Sequence, residues 1–226
     1  GRLAILEAAE APPTFSTPPE LIQAIMAGEP DSVFRAVEGI EDKYDEGVEI
    51  AKKKGINKKD FVIGISASGR TPYVHGILNY SKKQGAKTAI ISVNYPKQAS
   101  ADFFIIPQTG PEVLTGSTRL KAASATKMIL NMITTATMAK LGKIYGNLMV
   151  DLNPNSLKLL ARGSNIIKEV TGCSDEQAQQ LIKKSQNAKV GIVMYLLNVE
   201  KDEAQKVLGE SNNQLRCVIE KNQLIL

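Results

Sequence analysis

The sequence contains no tryptophan, 5% aromatic residues, one histidine and two cysteines. The shortage of aromatics argues against the base-stacking surfaces of single-stranded nucleic-acid modules. Cys173 and Cys217 are far apart and, together with His75, lack the spacing of a zinc site or a Cys–His catalytic pair. His75 falls early in a predicted helix and reads as a surface or packing residue. No run approaches the ~20 apolar residues that span a bilayer, so no membrane partner is expected. No leader pattern is visible and unpaired thiols suit a reducing compartment, which makes the cytoplasm the expected location. Neither charge sign dominates: 28 Lys and Arg stand against 23 Asp and Glu, a formal net charge of +5. That excess fits a solvated surface, or an anionic ligand such as a phosphorylated metabolite. The basic clusters at Lys52 to Lys54, Lys58 to Lys59 and Lys183 to Lys184 form no groove-tracking stripe, and no nucleic acid is expected.

What is present is ordinary globular material: 226 residues, 43% hydrophobic and 23% charged. That length accommodates one α/β domain with a smaller appendage and a core that needs no disulfide. Periodicity and breakers predict a helix over 2–10 ended by Pro12-Pro13, a strand-length apolar run over 21–27, and a helix from Asp31, as N-cap, to Val37. A helix over 43–54 ends at Gly55. The run 61–66 reads as a strand buried on both faces. A helix over 71–84, buried strands over 87–93 and 102–106 and a helix over 117–142 follow. Alternation of this kind predicts an α/β fold with a parallel sheet covered by helices on both faces. Beyond Asn153-Pro154 the pattern is amphipathic throughout (156–170, 174–186, 188–197, 200–209, 214–220) and predicts a small helical C-terminal domain. Val190 to Leu197 alone has strand character, but it has no pairing partner. The expected domains are 1–152 and 153–226.

Two polar segments carry candidate chemistry. Gly64 to Thr71 follows a predicted strand and opens a helix, the place where parallel-sheet proteins bind anions. Ser66, Ser68 and Thr71 offer hydroxyls and Gly69 allows close backbone approach, a combination suited to phosphate. It matches neither a Walker A loop nor a dinucleotide fingerprint. The alternative is a strand-to-helix turn that uses Ser and Gly for geometry alone. Thr109 to Lys121 again brings hydroxyls, glycines and cations to a helix start, where ordinary capping is the alternative. Glu7 and Glu10 lie one helical turn apart, as do Glu38 and Glu41. Most such glutamates are solvated, yet Glu10 stands at the Pro12-Pro13 break and Glu41 between two helices, positions from which a side chain can point into a cleft. With no usable Cys, metal cluster or His pair, carboxylates are the available acid–base machinery.

Leu6 to Phe15, Ala36 to Asp42, Ser66 to Tyr73, Gly110 to Lys121 and Tyr145 to Asp151 together resemble the N-acetylmuramic acid 6-phosphate etherase family, and the likeness runs from the first residue into the C-terminal helices. The resemblance implies a sugar isomerase (SIS) fold with a helical extension, a homodimer, no metal and no cofactor. It implies cleavage of the lactyl ether of N-acetylmuramic acid 6-phosphate to N-acetylglucosamine 6-phosphate and D-lactate, in recycling of cell-wall sugar. The family's two catalytic glutamates fall on Glu10 and Glu41. Ser66, Ser68, Gly69 and Thr71 would hold the 6-phosphate, with Glu112, Ser117, Arg119 and Lys121 as further substrate contacts.

The family usually carries an N-terminal strand and a second Gly/Thr/Ser-rich loop ending in the Gly-Arg seen here at Gly1-Arg2. The chain is therefore expected to lack part of the sugar-phosphate site, and to be weakly active or inactive unless another chain supplies it. Two other functions share the fold: a non-catalytic sugar-phosphate sensor, like the related glucokinase regulatory protein, and an aldose–ketose isomerase. Glu10 and Glu41 in their motifs favour the enzyme over the sensor; Glu10 and the Gly110 to Lys121 motif argue against the isomerase.

Overall fold

The computed structural model describes residues 1–97 and 99–223. In chain order it forms α1 (Arg2–Phe15), α2 (Asp31–Phe34), a 3-10 turn (Ile40–Asp42), α3 (Tyr44–Lys53), β1 (Phe61–Ile65), α4 (Pro72–Lys83), β2 (Lys87–Ile91), β3 (Phe103–Ile105) and α5 (Lys121–Lys140). Five helices follow: α6 (Leu157–Thr171), α7 (Asp175–Ser185), α8 (Ala188–Leu197), α9 (Lys201–Glu210) and α10 (Leu215–Gln223). Contacts divide the chain into two compact units, residues 1–7 with 23–131, and residues 8–22 with the described residues from 132 onward.

The first unit is α/β. Its three strands are parallel in the order β1-β2-β3, with Ile63 opposite Ala89 and Ile90 opposite Phe104. β2 is central, and Ala89, Ile90 and Ile91 are buried. The sequence predicts that β1 and β3 are buried too; β1 is only partly buried and β3 is largely exposed, each having one neighbour in the described sheet. Phe61 and Phe103 are exposed and shield each other, with ring centroids 6.0 Å apart. Asp102 secures the start of β3: its carboxylate accepts the Thr88 N–H at 2.8 Å and the Thr88 hydroxyl at 3.1 Å. Those bonds, with Lys82 and Lys87 nearby, hold its pKa below the usual carboxylate range. α4 lies against β1 and β2, and it approaches β1 closely at Gly64. A Cβ there would stand 2.7 Å from Val74 Cγ1 and 2.8 Å from Leu78 Cδ1. Tyr73 and Ile77 of α4 pack with Ala51 of α3.

Three expectations near the N-terminus are corrected. The first helix does not stop at the prolines; it continues through Pro12 and Pro13 to Phe15. Each proline removes one i to i−4 bond, but burial of Ala11 and Phe15 with Met138 favours keeping the last turn helical. It ends at Ser16, whose N–H bonds the Pro12 carbonyl at 2.9 Å. Residues 21–27 form no strand. Ile22 packs with Ala11, Phe15 and Met138, while Ile25 and Ala27 pack with Ala51, Tyr73 and Ile77, so two small clusters take up the apolar side chains. α2 ends at Phe34 rather than Val37, and Asp31 is its first helical residue rather than its cap. The Arg2 guanidinium takes the carbonyls of Ser32, Val33 and Arg35, acceptors that a longer helix would have used itself.

The second unit is helical around Leu152, Ile167, Ile182, Ile192, Leu208 and Leu215. Ser174 and Gln177 form a reciprocal capping box at the start of α7. Val190 to Leu197 is helical, and α8 is buried from Ala188 to Met194. Burial on nearly all sides explains why its sequence shows no polar face. Among the described residues, no helix is long and apolar enough to cross a membrane.

Candidate functional site

The loop between β1 and α4 brings together Ser66, Ser68, Gly69 and Thr71. Ser66 is buried at the end of β1, and its hydroxyl lies 2.7 Å from the Thr71 hydroxyl and 3.5 Å from that of Ser68. The Gly69 N–H donates to the Ser66 carbonyl at 2.9 Å and closes the turn. Gly69 has φ +71°, a left-handed conformation that glycine adopts without cost. The Ser92 hydroxyl donates to the Ala67 carbonyl at 3.2 Å and the Asn94 amide donates to it at 3.1 Å, bracing the loop from the end of β2. Ser68 and Arg70 are exposed.

α4 begins on this loop with Pro72 in its first turn and no side-chain cap. A helix start presents backbone N–H groups and the positive end of the helix dipole. The loop thus offers hydroxyls, first-turn amides and an exposed guanidinium on one side of the first unit. That set suits a phosphate monoester. Among the described residues, no group of three or more His, Cys, Asp or Glu is placed to hold a metal ion.

The Thr109 to Lys121 segment is organised around capping. Glu112 accepts the backbone N–H groups of Lys121 and Ala122, both at 2.9 Å, and so caps α5 from nine residues upstream. These backbone bonds, led by that from Ala122 and helped by the Lys121 charge, hold the Glu112 carboxyl below its usual range. Lys121 Nζ ties back to the Pro111 carbonyl at 2.8 Å and the Thr109 carbonyl at 3.3 Å. The Ser117 N–H bonds the Leu114 carbonyl at 2.9 Å, and Arg119 is exposed.

Glu10 is an exposed residue of α1 in the second unit; its carbonyl accepts the Thr14 hydroxyl at 2.8 Å. Glu41 is exposed in the 3-10 turn of the first unit, just after Gly39 at φ +75°. Its neighbour in the pattern, Glu38, is exposed, whereas Glu7 is buried and paired with Lys127. Three roles escaped the sequence reading. Arg2 clamps the segment leading to Glu41, and Glu112 acts as a remote cap. His75, a packing residue as expected, also bonds the Gly69 carbonyl through Nε2 at 3.0 Å. Spacing held no signal for any of these long-range bonds.

A parallel sheet flanked by helices, with a hydroxyl-rich loop at a helix start, fits the SIS type of α/β fold, and the family model described as the glucokinase regulatory protein N-terminal SIS domain matches residues 1–82. Much longer likenesses extend through both units. An N-acetylmuramic acid 6-phosphate etherase of Escherichia coli (strain SMS-3-5) is 46% identical over 224 residues, covering 98% of this chain and 75% of that protein. One from Mesorhizobium japonicum is 44% identical over 222 residues, covering 97% and 72%. Another, from Cutibacterium acnes, is 44% identical over 229 residues, covering 100% and 75%. The chain belongs to the N-acetylmuramic acid 6-phosphate etherase family, a family of carbon–oxygen lyases.

Proposed function

We propose that this chain cleaves the D-lactyl ether of N-acetylmuramic acid 6-phosphate, releasing N-acetylglucosamine 6-phosphate and D-lactate in the recycling of cell-wall sugar. The observation that carries the proposal is identity of 44–46% to etherases over nearly the whole chain; the Ser66 and Thr71 hydroxyls, 2.7 Å apart at a helix start, support it. Ser66, Ser68, Gly69 and Thr71 hold the 6-phosphate. Glu112 and Lys121 act by shaping the neighbouring loop, with Ser117 and Arg119 on the substrate side of it. The active form is a homodimer in the cytoplasm, and it needs no cofactor.

The chemistry assigns two carboxylates. In the open-chain sugar the C1 aldehyde acidifies C2–H. Glu41, as general base, removes that proton; the electron pair forms the C2–C3 double bond as the C3–O bond breaks. Glu10, as general acid, protonates the departing lactyl oxygen, which would otherwise leave as a poor alkoxide. Water then adds at C3 of the unsaturated aldehyde, giving up its proton to the now anionic Glu10, while Glu41 returns a proton to C2.

The test combines lactate release with exchange of the C2 hydrogen in deuterated water. Glu10→Gln and Glu41→Gln should each lower kcat by about 100- to 10,000-fold, the usual weight of one acid–base group. Glu10→Gln should still exchange C2–H, whereas Glu41→Gln should not; the opposite pattern would exchange the two roles. Tight binding of the sugar phosphate by the parent chain without lactate release would favour a sensor, the reading suggested by the regulatory-protein match over residues 1–82.

A further inference from the structure

We propose that His75 is a positioning residue that sets the orientation of the Gly69–Arg70 peptide and so aims the donors of the loop at the sugar 6-phosphate. The inference rests on the reading of this loop as the phosphate site.

His75 lies in the first turn of α4 and is 9% exposed. Its Nε2 sits 3.0 Å from the Gly69 carbonyl oxygen, and its Nδ1 is buried with no hydrogen-bond partner. A carbonyl only accepts, so Nε2 is the donor in this bond, and Nδ1 is left without one. An apolar side chain of similar size would fill this space without burying an unpaired nitrogen, which is a net cost to the fold. The single bond that histidine gains in return is the one to Gly69.

That bond controls more than one carbonyl. A trans peptide is planar, with its C=O and N–H pointing in opposite directions. Holding the Gly69 oxygen toward His75 therefore turns the Arg70 N–H to the opposite side, where it donates to the Ser68 hydroxyl at 3.2 Å. Gly69 itself is crowded by the segment that follows β2, since a Cβ on it would stand 2.7 Å from Pro96 Cβ and 2.9 Å from Ser92 Oγ. Glycine itself imposes no preference against a flipped peptide. In the flipped state the carbonyl would face the side now served by the Arg70 amide and Ser68, and its partial negative charge would oppose a phosphate. His75 removes that state.

Three variants test the assignment. The amide nitrogen of Gln reaches to where imidazole Nε2 stands, that of Asn only to the Nδ1 position, and Leu supplies no donor. In the ligand-free chain, amide hydrogen exchange at Gly69 and Thr71 should speed up about tenfold in His75→Leu and His75→Asn, the worth of one hydrogen bond, and stay near the parent rate in His75→Gln. In steady state the first two should raise KM about tenfold with kcat within about twofold, the mark of lost binding that is uniform along the reaction, and Gln should restore KM. Parent-like exchange and KM in Leu and Asn would overturn the proposal, as would a Gln variant impaired as much as Leu. Should His75→Leu fail to fold, the Asn and Gln pair decides. A parent chain that neither binds the sugar phosphate nor releases lactate would refute the functional reading instead, and the exchange rates would still decide whether His75 holds the loop.

Discussion

Two helix starts in this molecule are built from similar polar residues and end in opposite states. At α8, in the second unit, Asn187 caps the Val190 N–H at 3.1 Å and donates from its amide to Asp151 at 2.8 Å. Asp151 also pairs with Lys189 at 2.9 Å and Lys143 at 3.0 Å. The Lys189 ammonium completes its set with the carbonyls of Gly142 at 3.0 Å and Asn213 at 3.3 Å. Asp151 and Lys189 are each 4% exposed. At α4, in the first unit, no side chain caps the helix, and Ser68 and Arg70 are exposed. The anion at α8 belongs to the chain; on the proposed reading, the anion at α4 is the sugar phosphate. Polar groups that are buried and saturated hold a fold together, whereas polar groups that are braced but open are available to a ligand.

The largest effect that separates the two is expected at Lys189. Lys189→Met leaves part of the Asp151 charge buried without its partner and should lower stability by about 3 kcal/mol, read by urea unfolding. The affinity of the folded fraction for N-acetylglucosamine 6-phosphate should not change. Ser68→Ala should do the reverse. It removes a hydrogen bond to a charged group and should weaken sugar-phosphate binding by about 2 kcal/mol in calorimetry, with stability within about 0.5 kcal/mol of the parent. Equal losses of stability in both variants would erase the contrast.

Two smaller effects sharpen it. Gly69→Ala places a Cβ at φ +71° against Pro96 and should cost about 1–2 kcal/mol of stability while also weakening binding. Only the loop should show both losses. Glu112→Gln tests a group whose work is capping. Its folded pKa is depressed, so its contribution is complete above the ordinary glutamate value of 4.5 and disappears as pH falls through the lower folded value. The Tm gap between parent and variant should be widest at neutral pH and close in acid; a gap independent of pH would show that charge has no part in the cap.

How legible all this was in the sequence follows the range of the interactions. β1, α4 and β2 stood out because short apolar runs and a Pro or Gly at each break act locally, and the five C-terminal helices followed from their periods and caps. The loop was legible for the same reason, since strand, hydroxyls, glycine and helix start are contiguous from Gly64 to Pro72. Tertiary packing overrode local rules elsewhere. Burial of Phe15 and Ala11 carried α1 through two prolines, and the split packing of Ile22, Ile25 and Ala27 left 21–27 without a strand. Strand position in the sheet, which no local pattern encodes, exposed Phe61 and Phe103. Arg2 on the carbonyls of 32–35, Glu112 on α5 and His75 on Gly69 are each bonds between residues whose spacing carries no rule.

The most direct test of the central claim is an amide chemical-shift titration of the chain with N-acetylglucosamine 6-phosphate. The account predicts that the large perturbations fall on Gly69, Arg70, Thr71 and Tyr73, with little change at Asn187, Lys189 and Val190. Perturbations centred on the α8 start, or on Thr109 to Lys121 with the β1–α4 loop silent, would contradict it.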